Sequence, residues 1–184
     1  MRGNGMKKFS KVVIALLCIV STSAFARLND GDPAPDFTLP DVSTGQEVSL
    51  SDFKGRLVVL QFWKVCAGRC RKVVPQLNRL QSELLPQMYP NLEEVQAEHG
   101  PLLKVLSVNV INPPRRVLAE MKGNNIEYQV LEGRNTGIAR DYQLITLPMV
   151  FIIDKDGIIR YISAFPKYEE LKEAIIPLVY DIVK

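Results

Sequence analysis

The sequence predicts an α/β fold in which a mixed central sheet is flanked by helices and preceded by an N-terminal β-hairpin extension. Residues 57–63 are almost all apolar, as expected of a strand that is buried on both faces. Apolar residues then recur at helical spacing over residues 68–85. Two strand-like runs within residues 149–163 flank an Asp-Lys-Asp-Gly turn, which predicts a hairpin. Strands that alternate with helices before a terminal hairpin favour a mixed sheet.

The first elements follow from proline content and alternation. Residues 31–40 contain three prolines, which disfavour a helix and predict an extended arm with a short strand. Residues 47–50 alternate between polar and apolar after a Thr-Gly turn, so they are predicted to pair with that strand in a hairpin. The central strand over residues 57–63 follows.

The helix over residues 68–85 contains Pro75, and the helical pattern is interrupted at Pro86 and Pro90. The rest of the chain alternates between short strands and helices. The predicted strands cover residues 102–110, 128–131, 149–153 and 158–163, and the predicted helices cover residues 91–98, 114–122, 135–142 and 167–183. In the last helix, Pro177 is expected to weaken the final turns.

Residues 1–26 have the composition of an export signal. They contain four Lys or Arg residues and no acid, followed by an apolar run over residues 12–20 and an Ala-Phe-Ala ending. This order predicts a secretory signal peptide that is cleaved after Ala26, which leaves a single domain at 27–184. The apolar run is shorter than the roughly 20 residues that a membrane span needs. An uncleaved signal that acts as an anchor, or a lipid-modified Cys18, is an alternative.

The charge of the domain argues against a nucleic-acid partner. The whole chain has 23 basic and 20 acidic residues and a net charge of +3. Removing the four basic residues of the signal leaves 19 basic residues against 20 acidic ones, a net charge of −1. The surplus charge therefore belongs to the signal, and no nucleic acid is expected to bind. The remaining residues suffice for one hydrophobic core without several disulfides.

The candidate chemistry is a pair of cysteines, Cys66 and Cys70, between the central strand and the first long helix. Thiols at such a junction lie near the positive end of the helix dipole, which favours the thiolate. Nearby positive charge comes from Lys64, Arg69, Arg71 and Lys72. A thiolate there can attack a disulfide, and a second thiol can resolve the mixed disulfide.

Three segments carry a resemblance to a known family. Residues 50–55 have the sequence Leu-Ser-Asp-Phe-Lys-Gly, similar to an L-x-D-F-K-G lead into the first core strand. Phe62-Trp63 and residues 70–75 match the pattern F-W-A-T-W-C-P-P-C-R-K-E-x-P. Residues 142–157 follow Y-G-V-x-G-x-P-T-T-F-L-I-D-x-D-G in length. Together they resemble the thioredoxin-like redoxins of the bacterial cell envelope, the TlpA/ResA type within the AhpC/TSA-redoxin superfamily.

The resemblance implies a thioredoxin-like fold and an exported thiol-disulfide oxidoreductase. It gives the attack on a client disulfide to Cys66 and the resolving step to Cys70. It also implies a cis bond before Pro148 and backbone of Leu147 that docks a client, with Trp63 as either a docking wall or a core residue.

The same resemblance implies a location in the periplasm or cell envelope. The expected partners are protein thiols and disulfides outside the cytoplasm and a membrane-bound electron donor. A monomer without a cofactor is expected.

The chain departs from the family at the cysteines, which are spaced C-x-x-x-C and not C-x-x-C. On a regular helix such cysteines have Cα atoms about 6 Å apart, within reach of a disulfide. Gln61 also stands where thioredoxins carry a buried acid, so no general base is identified.

Two other readings of the pair stay open. It can form a structural disulfide in a redox-inert binding module, or bind Cu(I) as in Sco-type copper chaperones, which share this spacing. Those proteins add a late histidine, whereas the only histidine here is His99, before the second main strand. No metal ligand is therefore assigned.

Overall fold

A computed structural model describes residues 27–65, 68–99 and 101–184. The predicted signal peptide and Cys18 lie outside the described residues. Within these ranges the strands are, in chain order, β1 (Thr38–Pro40), β2 (Glu47–Ser49), β3 (Leu57–Trp63), β4 (Leu103–Asn109), β5 (Gln129–Glu132), β6 (Met149–Ile153) and β7 (Ile159–Ser163). The α-helices are α1 (Arg69–Arg79), α2 (Leu85–Met88), α3 (Leu92–His99), α4 (Pro114–Gly123), α5 (Ile138–Asp141) and α6 (Tyr168–Ile182).

The predicted mixed sheet is confirmed, with the strand order β5-β4-β3-β6-β7. Strands β3, β4 and β5 run parallel, whereas β6 is antiparallel to β3 and β7 is antiparallel to β6. The predicted N-terminal hairpin is also present, as an antiparallel pair of β1 and β2. It is tied to the main sheet by an antiparallel bridge between Asp41 and Leu131.

Strand β3 is buried on both faces, as its composition predicts. On one face, Leu57 and Val59 belong to a core with residues of α1 and α6. On the other face, Val58, Leu60 and Phe62 pack in a core that includes the hairpin and Tyr142. Because side chains alternate along a strand, Gln61 and Trp63 share the face of Leu57, the face on which α1 lies.

The first long helix continues beyond the predicted boundary. A π-helical turn over Leu80–Leu84 joins α1 to α2, and the helical path ends only at Met88. Pro86 falls in the first turn of α2. Backbone N–H groups in the first turn have no partner within the helix, so the proline removes no hydrogen bond of α2. The expectation that Pro86 ends the helix was therefore wrong, because the π-helical turn shifts the hydrogen-bond register ahead of the proline.

The helix predicted over residues 135–142 is shorter than expected. Asn135 has φ +64° and Gly137 has φ +89°, so α5 begins only at Ile138. Left-handed backbone at these positions is incompatible with a right-handed helix. In contrast, Pro177 does not interrupt α6, which continues to Ile182. Among the helices of the described ranges, none has the length and apolarity that a membrane crossing requires.

Candidate active site

The candidate active site lies where β3 ends and the chain turns into α1. Gly68 caps the helix with φ +106°, a backbone conformation that L side chains rarely adopt, so this entry into the helix requires glycine. Cys70 is the second residue of α1 and lies in its first turn. Cys66 and Ala67 lie outside the described residues. The structure thus locates Cys70, and it locates Val65 and Gly68 on either side of these two residues.

Cys70 and Trp63 are both buried where the start of α1 packs against the end of β3. Each has an exposed fraction of 3%, and they pack together with Val117 and Val130. The Trp63 indole Nε1 donates a hydrogen bond to Ser107 Oγ at 3.2 Å. Of the two roles expected for Trp63, a docking wall or a core residue, its burial favours core packing. The reason is that Trp63 points to the same face of β3 as the helix that covers it.

A neutral polar pair lies in the core beside this cluster. The hydroxyl of Tyr128 donates a hydrogen bond to Gln61 Oε1 at 3.1 Å, and both side chains are buried. Burial raises the pKa of Tyr128 far above its ordinary value, and the nearby Cys70 raises it further. Tyr128 therefore stays protonated at neutral pH. Gln61 contributes an amide that accepts this hydrogen bond, and an amide side chain does not titrate. Sequence reasoning missed Tyr128, because no local motif connects it with Gln61.

Two asparagines, one at the end of β4 and one just beyond it, hold the segment that leads to Cys66. Asn112 Oδ1 accepts the backbone N–H of Val65 at 2.7 Å. Asn109 Oδ1 in turn accepts the N–H of Asn112 at 2.8 Å. Asn109 Nδ2 is buried and has no hydrogen-bond partner among the described residues. Sequence reasoning missed both residues; the signal that could have indicated them is a pair of asparagines at the carboxyl end of a buried strand.

The loop before β6 faces the cysteine segment. The Leu147–Pro148 bond is cis, as the resemblance implied. Leu147 lines an open groove of about 590 Å³, the first groove, together with Lys64 and Arg69. Lys64 lies two residues before Cys66, and Arg69 directly precedes Cys70. Leu147 therefore lies on the same side of the molecule as the start of α1. The predicted docking role of Leu147 and Pro148 stays a prediction.

A second groove adjoins the first at Arg69. It encloses about 470 Å³ and is also lined by Lys72, Phe165 and Lys167. The guanidinium of Arg69 lies 5.3 Å from the centre of the Phe165 ring, a cation–π contact.

Arg71, which is also basic and close to Cys70, points elsewhere. Its Nε atom lies 2.8 Å from Glu120 Oε1, which ties α1 to α4. The basic residues near the cysteines thus divide between a structural ion pair and the lining of the two grooves.

The described residues form no obvious metal centre. Within them, no group of three or more His, Cys, Asp and Glu side chains is arranged to hold a metal ion. His99 ends α3, just ahead of Leu103, where β4 begins. Leu103 pairs with Leu57, whereas the cysteines follow Trp63 at the other end of β3, about 20 Å away along the strand. The only histidine of the sequence thus lies at the end of the sheet opposite to Cys70.

Comparison with known proteins links most of the domain to one family. The sequence profile of the AhpC/TSA family matches residues 31–162. This range includes the cysteine segment and the whole lining of the first groove, whereas Phe165 and Lys167 of the second groove lie beyond it.

Individual relatives show the same likeness. The chain is 29% identical over 148 residues to a thiol-disulfide oxidoreductase ResA of Bacillus thuringiensis, covering 80% of this chain and 77% of the relative. It is 30% identical over 136 residues to the thioredoxin-like protein YneN of Bacillus subtilis, covering 72% and 70%. A crystal structure from Chlorobium tepidum, assigned as thiol:disulfide interchange protein DsbE, aligns with a TM-score of 0.65 at 25% identity, covering 85% of this chain and 99% of that chain.

Proposed function

Because the chain belongs to the AhpC/TSA family, we propose that it is an exported thiol-disulfide oxidoreductase in which Cys66 and Cys70 exchange a disulfide with client proteins. The ResA relative is a thiol-disulfide oxidoreductase, and the structural neighbour from Chlorobium tepidum is assigned as a thiol:disulfide interchange protein and shares the thioredoxin-like fold. The observation that carries the proposal is the position of Cys70, in the first turn of a helix that follows a buried strand, with a second cysteine four residues earlier.

In the proposed reaction the reduced protein gives two electrons to a client disulfide. The Cys66 thiolate attacks one client sulfur, a mixed disulfide forms, and the other client sulfur leaves as a thiolate that takes up a proton. The Cys70 thiolate then attacks Cys66 Sγ, which forms the Cys66–Cys70 disulfide and releases the second client thiol. A membrane-bound donor outside the cytoplasm is proposed to return two electrons and two protons to the pair.

The burial of Cys70 supports this division of roles. At 3% exposure its thiol is shielded from a bulky client. The resolving attack on a mixed disulfide held by Cys66 of the same chain needs no access for a second protein. The hydrogen bond from Val65 to Asn112 supports it as well, since it holds the residue that directly precedes Cys66. The burial of Cys70 and the hydrogen bond that holds Val65 both favour Cys66 as the attacking group.

The proposed location outside the cytoplasm rests on the basic, apolar and Ala-Phe-Ala pattern of residues 1–26. Periplasm or cell envelope is the compartment in which such a pair meets client disulfides. A monomer is proposed, because the exchange needs only the two cysteines of one chain.

The test is a redox titration of the purified protein across ratios of reduced to oxidised glutathione, with insulin reduction as the activity readout. We expect wild type to cycle between dithiol and disulfide and to reduce insulin. Cys66→Ser is expected to lose the reaction and to trap no client. Cys70→Ser is expected to lose turnover but to accumulate a mixed disulfide, since the attacking thiol remains without the resolving one.

Two results would contradict the proposal. A pair that stays bridged at every glutathione ratio would indicate a structural disulfide in a binding module. Stoichiometric Cu(I) uptake that both serine variants abolish, without disulfide exchange, would indicate a copper chaperone instead. Intact mass with and without reductant and copper separates these outcomes.

A further inference from the structure

The two grooves beside the cysteine segment share one chemical character. The first groove contains Ile111 and Ile145 beside the cations Lys64 and Arg69, and the second contains Phe165 beside further cations. We propose that these grooves select client segments that carry acidic and apolar residues around the reactive cysteine. This inference rests on the proposed function, because it concerns the clients of that same site.

The two grooves expose three large apolar side chains to water. Ile145 is 70% exposed, Ile111 54% and Phe165 42%, and these are among the few large hydrophobic side chains that the described ranges leave in contact with water. Ile111 follows β4 and Ile145 precedes the cis bond, so different loops bring them to the first groove. Covering such side chains with apolar client residues removes their apolar area from water, which favours binding.

The charged part of the surface has a single sign. The lining of the two grooves contains four cations and no acidic residue; these cations are Lys64, Arg69, Lys72 and Lys167. Their side chains are exposed, and within the described residues none of them forms an ion pair. Elsewhere on the surface, cations such as Arg71 and Arg79 are paired with glutamates.

This asymmetry does not follow from composition. Residues 27–184 contain 19 basic and 20 acidic residues, so an average surface patch has both signs. The groove lining has exposed apolar side chains and four cations that form no ion pair among the described residues, so it is complementary to an acidic and apolar segment. An acid adjoins it at one margin, where Glu170 Oε2 accepts the Lys167 backbone N–H at 3.4 Å. Such complementarity acts mainly on the rate of encounter and on the choice of partner.

The experiment measures the oxidation of reduced wild-type protein by peptide mixed disulfides that carry an uncharged 2-mercaptoethanol group. Each reaction converts the protein dithiol to its disulfide and releases the peptide thiol and 2-mercaptoethanol, so two electrons pass from protein to peptide disulfide. Oxidation is followed by the fluorescence of Trp63, the single tryptophan, which packs against Cys70. Three peptides are compared: Glu and Leu on both sides of Cys, Lys in place of Glu, and Ser in place of Leu.

We expect the Glu/Leu peptide to react about 10-fold faster than the Lys/Leu peptide at low salt. The ratio should approach one at 1 M NaCl, where the screening length is about 3 Å. Lys167→Glu, which changes a groove cation far from the cysteines in sequence, should lower the ratio about threefold. The matched control is Lys122→Glu, an exposed lysine at the far end of α4 that makes the same change in net charge.

The apolar contribution has its own variant. Ile145→Ser should lower the rate of both Leu-containing peptides about threefold to tenfold, and change the rate of the Ser-containing peptide little. Because Ile145 is highly exposed, its substitution is expected to leave the fold intact.

Each rate is divided by the rate of the same variant with bis(2-hydroxyethyl) disulfide, which is small and uncharged. If this small disulfide reacts but the Glu/Leu and Lys/Leu peptides react equally, or the Lys/Leu peptide reacts faster, the client inference is overturned. If Lys122→Glu lowers the ratio as much as Lys167→Glu, the effect comes from net charge and the groove assignment is overturned. If the small disulfide does not react at all, the proposed function itself fails, and the inference fails with it.

Discussion

Asn112 Oδ1 accepts the backbone N–H of Val65 at 2.7 Å, which joins the loop after β4 to the segment between β3 and α1. Val65 directly precedes Cys66, and Asn112 is itself held by Asn109 at the end of β4. The end of one parallel strand thus fixes the chain that leaves its neighbour. The C-x-x-x-C segment has one residue more than a C-x-x-C segment, and therefore one additional pair of backbone torsions. The hydrogen bond between Val65 and Asn112 restrains the segment at its amino-terminal side.

Removing this acceptor should loosen the cysteine segment. Asn112→Ala is expected to lower the free energy of unfolding by about 1–2 kcal/mol, because the Val65 N–H loses its partner in a part-buried position. It should also speed alkylation of Cys66 in the reduced protein. Denaturant unfolding and iodoacetamide labelling measure the two effects.

The matched control is Asn91→Ala, which removes an exposed hydrogen bond of 3.2 Å from Asn91 Nδ2 to Glu94 Oε2. That variant should cost less stability and leave alkylation unchanged. Equal effects of the two variants on alkylation would show that Asn112 does not position Cys66.

The pair of Gln61 and Tyr128 should behave as one unit in a double-mutant cycle. Gln61→Leu leaves the Tyr128 hydroxyl without its acceptor, and Tyr128→Phe leaves Gln61 Oε1 without its donor. Each single variant is expected to lose about 1–3 kcal/mol of unfolding free energy, because each leaves a buried polar atom unpaired. The double variant should lose at least about 1 kcal/mol less than the sum of the two single losses. Additive losses in urea unfolding would mean that the two side chains do not interact.

Buried tyrosines predict a loss of stability in alkali. Burial raises the pKa of Tyr142 and of Tyr128 above the ordinary value of 10.0, and nearby Asp36 and Cys70, respectively, raise them further. Above pH 10 the unfolded chain therefore releases protons that the folded chain retains, and stability falls as pH rises towards the folded pKa values. Each such group lowers the unfolding free energy by up to about 1.4 kcal/mol per pH unit.

Unfolding free energies at a series of pH values above neutrality test this. Tyr142→Phe also loses the 2.8 Å hydrogen bond to the Pro35 carbonyl, so the slope with pH is compared and not the absolute stability. The variant should show a shallower alkaline slope than wild type. Tyr180→Phe, which changes an exposed phenol, is the matched control. An unchanged slope in Tyr142→Phe would contradict the prediction.

Gly133 is predicted to tolerate no side chain. A Cβ atom there would collide with Val108 Cγ1 and lie 3.0 Å from Ile138 Cγ2, both in the core. Its N–H also donates to the Asn109 carbonyl at 2.9 Å, so the backbone has little freedom to move away. Gly133→Ala should cost about 1–3 kcal/mol through overpacking.

Gly123→Ala is the control for this substitution, because its added Cβ would meet nothing within 4 Å. Thermal unfolding should show a lower midpoint for Gly133→Ala and an unchanged or higher one for Gly123→Ala. A midpoint for Gly133→Ala equal to that of wild type would show that the core yields at this point.

Local patterns predicted most of the secondary structure. The bounds of β3 and β6 are those expected from apolar composition, because strands buried on both faces are continuous apolar runs. Prolines and left-handed residues were the sources of error. Pro86 was expected to end a helix that a π-helical turn carries past it, and positive φ at Asn135 and Gly137 shortened α5.

The sequence by itself determined the fold class, the cysteine pair and the cis bond at Pro148, because periodicity, motif spacing and a family resemblance are all local along the chain. The tertiary structure alone decided that Trp63 is a core residue, since only the packing of α1 over β3 covers it. It also decided the partners of Gln61 and Val65, which lie 67 and 47 residues away and meet through strand register. The grouping of Lys64, Ile111 and Ile145 in one groove has the same origin, because the segments after β3 and after β4 and the loop before β6 converge at one end of the sheet.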